Sequence, residues 1–162
     1  MKEQDASRTL LVSKIKNGTV IDHIRAGFAL EILNILGITG EEGITVSIAM
    51  NVPSNTLGKK DILKIEQREL KKSEWDKIAV IAPNATINLI ENYKVVEKTK
   101  VELPEEVKGI LNCPNPTCIS RKEDEHIKSR FKVVSTKPPE LRCEFCGTFV
   151  KGEELVSQIT SR

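Results

Sequence analysis

Apolar residues change their spacing several times along the chain, and each change marks an element. Leu10-Leu-Val-Ser-Lys-Ile-Lys16 is apolar on both faces near its start and predicts a first strand. Asn17-Gly18 signals a turn, and the β-branched run Thr19-Val-Ile-Asp-His-Ile24 resumes extended structure before a loop. Over 26–36 the period lengthens. Ala29, Ile32, Leu33 and Leu36 stand at i, i+3, i+4 and i+7, one stripe of a helix, and Gly37 stops it. After a loop at 40–43, Ile44, Val46, Ile48 and Met50 alternate with Thr45, Ser47 and Ala49, which predicts a strand packed on one face. Residues 51–58 are rich in turn formers and predict a loop. The next strand, over 60–70, puts Leu63, Ile65 and Gln67 on one face and Ile62, Lys64 and Glu66 on the other. Ser73 is the expected N-cap of a short helix through Trp75, Ile78 and Ala79, and Pro83 ends that helix or the strand after it. Residues 85–90 and 93–98 predict two short strands, or one bent strand, joined at Glu91-Asn92.

With the pairs at each end counted as one sheet element, the order is β-α-β-β-α-β, the split βαβ arrangement of a ferredoxin-like α+β domain. Such a sheet has edges that favour pairing with a partner or a second copy. Leu103-Pro104 reads as a hinge, so the expected division is 1–99 and 100–162. The second part has few large apolar residues, Phe131, Leu141, Phe145 and Phe149 among them, and is too small to fold easily on its core alone.

That shortage changes how the cysteines are read. All four lie in the second part, as Cys113-Pro-Asn-Pro-Thr-Cys118 and Cys143-Glu-Phe-Cys146. Two close pairs separated by a long loop predict a tetrahedral four-thiolate site, which suits zinc, and a small C-terminal β domain built around it. Gly147 supports this, because a residue without Cβ takes the positive φ that turns backbone N–H groups toward sulfur. Two disulfides would need an oxidising compartment, and a redox Cys-x-x-Cys would leave Cys113 and Cys118 unexplained. Four sulfurs complete the coordination, so no position stays open for a water nucleophile and the ion is structural.

The 162 residues are 39% hydrophobic and 30% charged, with a net charge of +2, as in an ordinary soluble globular protein. Basic against acidic residues number 14 to 13 up to residue 99 and 11 to 10 beyond it. Neither part has the basic balance of a nucleic-acid module, although a zinc ribbon that binds nucleic acid is the alternative to weigh. No apolar run is long enough to span a bilayer, and the polar Lys2-Glu-Gln-Asp5 lacks the apolar core of a signal peptide. The expected location is cytoplasmic, with no membrane partner.

Candidate chemistry in the first part is sparse. Asp22-His23 is a polar pair between Ile21 and Ile24; it either marks a strand surfacing into a loop or places a ribose acceptor beside a phosphate contact. Lys64 and Lys98 are either solvated strand residues or point charges for a polyphosphate. Asn88 and Tyr93 could contact a base, or simply serve a turn and an edge. No Gly-x-Ser-x-Gly, Walker loop or other catalytic constellation emerges.

Several runs taken together carry a resemblance. Gly18-Thr-Val-Ile-Asp-His-Ile24, Asn51-Val-Pro-Ser, Gly58-Lys-Lys-Asp-Ile-Leu-Lys-Ile-Glu66, Ala82-Pro-Asn-Ala-Thr-Ile-Asn88, Asn92-Tyr-Lys-Val-Val96 and Cys113-Pro-Asn-x-x-Cys-Ile119 resemble the aspartate carbamoyltransferase regulatory chains, from about residue 10 to 150. The resemblance implies a non-catalytic chain of pyrimidine biosynthesis, with an N-terminal allosteric domain that binds ATP, CTP and often UTP. It also implies a zinc domain that docks on the catalytic chain. Regulatory chains of this family pair through their allosteric domains, and the dimers bridge catalytic trimers into a dodecamer of six catalytic and six regulatory chains. By this resemblance Asp22 and Lys64 hold the ribose, while His23, Asn88 and Lys98 lie along the triphosphate. Ile15, Ile90, Tyr93 and Val95 form the base pocket, and Val12 and Lys16 border it. The metal ligands are Cys113, Cys118, Cys143 and Cys146.

Overall fold

The computed structural model describes residues 14–159, which form two compact units. One unit holds the chain up to Ala29, Gly40–Leu70 and Asn84–Lys100; the other holds Leu30–Thr39, Lys71–Pro83 and the chain from Val101 onward.

In the first unit, β1 (Gly18–Arg25), β2 (Val46–Ser54), β3 (Gly58–Glu66), β4 (Thr86–Glu91) and β5 (Lys94–Lys100) form one sheet in the order β2-β3-β1-β4-β5. All neighbours are antiparallel. The interleaved order of β1 to β4 is the split βαβ arrangement expected of the α+β fold, with β5 added at one edge. Ile21, Leu63, Ile65 and Ile87 are buried on one face of the sheet, each side chain stabilising the fold by about 1.5–3 kcal/mol. The intervening residues Val20, Ile62, Lys64 and Asn88 alternate onto the other face.

Local chemistry explains where the elements depart from expectation. Residues 10–13 of the first expected strand lie outside the described residues, and 14–17 lead into β1 without strand geometry. β2 runs on through Ser54 instead of giving way to a loop after Met50. A bulge with Asn51 at φ 58 absorbs the irregularity, and Pro53 is tolerated because an edge strand needs no second ladder of N–H bonds. β4 and β5 are two strands joined by Asn92 and Tyr93, both at positive φ (48 and 64) as a two-residue primed turn requires.

In the second unit, α1 (Ala29–Ile35) continues from the first and ends as expected at Gly37, whose φ is 68. The Gly37 N–H donates to Asn34 O and the Ile38 N–H to Leu33 O, both at 3.0 Å, which satisfies carbonyls the helix leaves open. α2 (Lys72–Ile81) starts earlier than Ser73 would allow. The Glu74 carboxylate accepts the Lys71 N–H at 3.0 Å, so Ser73 falls inside the first turn. β6 (Glu106–Lys108), β7 (Arg130–Thr136), β8 (Pro139–Cys143) and β9 (Phe149–Lys151) form an antiparallel sheet in that order, followed by α3 (Glu153–Gln158). Val107, Leu111, Phe131, Leu141 and Val150 are its fully buried core. No helix among the described residues is long and apolar enough to cross a membrane.

A cationic sheet face and a four-sulfur centre

Register places the candidate ligand contacts side by side. Ser47, Lys64, Val20, Asn88 and Lys98 are directly opposed across β2, β3, β1, β4 and β5, so they form one row on one face of the sheet. Asp22 lies two residues along β1 from Val20 on that same face, opposite Thr86. β1 carries a bulge there: Asp22 and His23 together occupy the space of one β3 residue, and His23 takes φ 55. The Asp22 Oδ1 accepts the His23 N–H at 2.6 Å and meets Lys60 Nζ at 2.9 Å. His23 Nδ1 is buried 3.9 Å from the same oxygen and has no hydrogen-bond partner among the described residues. Asn88 Nδ2 reaches Val20 O at 3.4 Å. Burial depresses the Lys64 ammonium below its usual 10.5, against the opposing pull of the Asp22 charge.

The remaining candidates gather at the opposite end of β1. Ile90 and Val95 are paired in the Gly18 row, roughly 13 Å along β1 from Asp22 at the rise of a strand. The Tyr93 N–H donates to Lys16 O at 3.0 Å, and Ile15 just before it is buried. Tyr93 and Val95 are exposed. Val12 lies outside the described residues. An open cavity of about 340 Å³ at this end is lined by Asn17, Gly18, Arg68 and Asn92, among others; of the expected contacts it includes Ile90 alone.

Two residues of this region were missed in the sequence. Lys60 entered only as the start of an expected strand, with no role of its own, although its even spacing from Lys64 already put both on one face. Asp61 is fully buried. Its Oδ2 accepts the Gly27 and Ala29 N–H groups at 2.8 and 3.0 Å, and its Oδ1 accepts the Asn51 N–H at 2.9 Å. The two strands beside it are both bulged, and its carboxylate takes up amides that irregular backbone leaves without a ladder partner. Its place on the same strand face as Leu63 and Ile65 was the available signal of burial.

In the second unit, the four cysteines come together from two tight turns. Their sulfurs lie within 4.8 Å of one another and none is bridged. Cys113 Sγ is 3.5 Å from Cys146 Sγ, and Cys118 Sγ is 3.7 Å from Cys143 Sγ. A tetrahedral zinc with Zn–S near 2.3 Å demands sulfur separations of about 3.8 Å, so the cluster fits that ion. Each turn is braced by backbone bonds. The Cys118 N–H donates to Asn115 O at 3.1 Å, and the Gly147 N–H to Cys143 O at 2.9 Å, with Gly147 at the expected positive φ of 79. Arg121 Nη1 holds Cys113 O at 2.8 Å. Ser120 Oγ stands 3.1 Å from Cys118 Sγ, and Thr148 Oγ1 stands 3.1 Å from Cys146 Sγ. Burial pushes the Cys113 and Cys143 thiols up. For Cys146 burial also pushes upward, but the Thr148 hydroxyl and N–H and the Asn115 side chain outweigh it and bring the thiol down to about 6. A divalent ion would hold all four as thiolates.

A four-sulfur cluster in one unit and, in the other, a sheet with a lysine-lined polar face define a metal-binding class of protein. The chain belongs to the family of aspartate carbamoyltransferase regulatory chains. Residues 10–102 match that family's allosteric domain and residues 105–156 its metal-binding domain. The chain is 59% identical to the aspartate carbamoyltransferase regulatory chain of Staphylothermus marinus over 152 residues, 94% of this chain and 93% of the relative. It is 55% identical to that of Hyperthermus butylicus over 150 residues, covering 93% and 94% of the two chains. With the Sulfolobus acidocaldarius chain the identity is 52% over 159 residues, covering 98% and 96%. The family expected from the sequence runs is therefore the right one, and its members are named as regulatory chains, not catalytic ones.

Proposed function

We propose that this chain binds the nucleoside triphosphates ATP, CTP and UTP on the polar face of its β1–β5 sheet and biases the activity of aspartate carbamoyltransferase catalytic chains. The observation that carries this is the row of Lys64, Asn88 and Lys98 with Asp22 and Lys60 beside it. Three ammonium groups and one carboxylate on one sheet face suit a ligand that is a polyanion at one end and carries hydroxyls nearby. Asp22 and Lys64 take the ribose. His23, whose buried Nδ1 has no hydrogen-bond partner among the described residues, lies with Asn88 and Lys98 along the phosphates. Ile15, Ile90, Tyr93 and Val95, with Val12 and Lys16 at the border, receive the base.

The functional division is residues 1–99 for nucleotide and 100–162 for docking, a division supported by the gap between the family matches, after residue 102. Zinc on Cys113, Cys118, Cys143 and Cys146 shapes the docking part, since its binding free energy is folding free energy. Two copies pair through the nucleotide domains, and edge strand β2, with Ile48 and Met50 exposed, suits that role. Such dimers bridge catalytic trimers into an assembly of six catalytic and six regulatory chains in the cytoplasm. Nucleotide acts by population shift: it moves the catalytic trimers only by the difference in its affinity for their two global states. Substrate must then alter nucleotide affinity by the same factor.

Calorimetry of the purified chain with CTP, ATP and inorganic triphosphate tests the site. Saturable binding of the nucleotides, tighter than that of triphosphate alone, is expected; binding of none of them removes the proposal. Mass measured in solution with the catalytic chain, with and without a chelator, tests the assembly.

A further inference from the structure

The two hydroxyls at the sulfur cluster follow one rule. Ser120 and Thr148 each stand two residues beyond the second cysteine of their pair, and each places its oxygen 3.1 Å from that cysteine's sulfur. The pairs differ in spacing, with four residues between Cys113 and Cys118 and two between Cys143 and Cys146, yet the offset to the hydroxyl is the same. A sulfur bound to a divalent ion carries no proton, so the hydroxyl must be the donor in both contacts. Four thiolates around one divalent cation leave two negative charges on the cluster, and a charge-assisted O–H···S bond on each knuckle disperses part of that charge.

We propose that Ser120 and Thr148 are positioning residues of the metal centre, donating their O–H groups to the Cys118 and Cys146 thiolates to retain the ion and damp sulfur reactivity. This rests on the four cysteines holding a metal. The two sites differ in exposure. Cys118 is buried, so water replaces the Ser120 hydroxyl less readily than it would at an exposed sulfur. Cys146 is the exposed sulfur of the four, where an electrophile arrives first, and Thr148 occupies one of its lone pairs.

The test uses the full chain loaded with zinc or with cobalt(II). Ser120→Ala should speed zinc transfer to a metallochromic dye by roughly tenfold, the low end of what loss of an outer-shell partner costs. Thr148→Val should speed alkylation of Cys146 by iodoacetamide, located by mass spectrometry, several-fold. In the cobalt form, both variants should move the sulfur-to-metal charge-transfer band to longer wavelength, because an unshared thiolate gives up its electron more readily. A side chain serving packing alone would leave that band in place. Ser120→Thr and Thr148→Ser, which keep the hydroxyl, should return all three measurements toward the native values. Tetrahedral d–d bands report whether each variant still folds its knuckles. Unchanged charge-transfer bands and release rates in correctly coordinated variants overturn the role of the hydroxyls while leaving the metal centre intact. Failure of the native chain to take up cobalt overturns the metal centre, and this inference with it.

Discussion

Lys64 combines two demands that oppose each other. It is buried, and desolvation holds its ammonium below 10.5, yet its place in the row beside Asn88 and Lys98 suits a charge. Below its folded-state value both folded and unfolded chains carry the proton, and the folded chain bears the cost of a buried charge. As pH rises from there to 10.5, the folded chain sheds its proton first and the cost is relieved, so stability rises through that window. Lys64→Met should flatten this rise in urea midpoints measured across the alkaline range. A nucleoside triphosphate with its ribose at Lys64 brings anionic charge near the ammonium and favours its protonated form, so binding in the same window should take up protons, seen as a buffer-dependent binding enthalpy. Lys98→Ala removes a phosphate partner on an open strand. Triphosphate affinity should fall about tenfold or more while the nucleoside is little affected, and equal losses would take Lys98 out of the phosphate site. Asp61 belongs to a different class. Asp61→Ala leaves three N–H groups without their acceptor, the one on Ala29 fully buried, and unfolding by urea should show a loss of about 2 kcal/mol or more. The lysines and Asp22 were legible as candidates because charge inside a β-branched run is unusual. The work of Asp61 was not legible, because its partners are backbone groups up to 34 residues away.

Among the elements, β1 is the central strand of the sheet, with two strands on either side of it. Its first residue allows no side chain: a Cβ on Gly18 would stand 2.1 Å from Ile65 O, and its φ is 144. Gly18→Ala should therefore cost about 3 kcal/mol in chemical denaturation, as the ladder with Glu66 and Ile90 is forced apart. Alternation and helical periodicity predicted most of these elements, because each element's burial repeats at its own period. Several details escaped, including the bounds of β3, which runs Gly58–Glu66 and not 60–70. A bulge let β2 continue through a turn-rich run, Glu74 moved the start of α2 ahead of Ser73, and Tyr93 accepted a positive φ that its side chain ordinarily disfavours. Each is set by backbone conformation or a neighbouring strand, which a periodic pattern does not encode.

For the molecule as a whole, the consequential question is whether nucleotide binding and docking separate. Cys143 is buried and supplies one of the four sulfurs, so Cys143→Ser should release the metal and abolish association with the catalytic chain. Nucleotide affinity should persist; metal analysis, solution mass and calorimetry on one preparation check all three. Loss of both functions together would overturn the division at residue 99. The sequence alone determined the split βαβ order and the four-sulfur site, because both are written in local spacing: hydrophobic period for the one, cysteine pairs for the other. It also carried the family, through runs scattered over both parts. Only the tertiary structure decided which residues stand side by side. Lys60 meets Asp22 across two strands, and the row from Ser47 to Lys98 draws on five segments. Register is settled by bulges and by which edges pair, and those depend on the packing of distant parts of the chain, not on the order of neighbours along it.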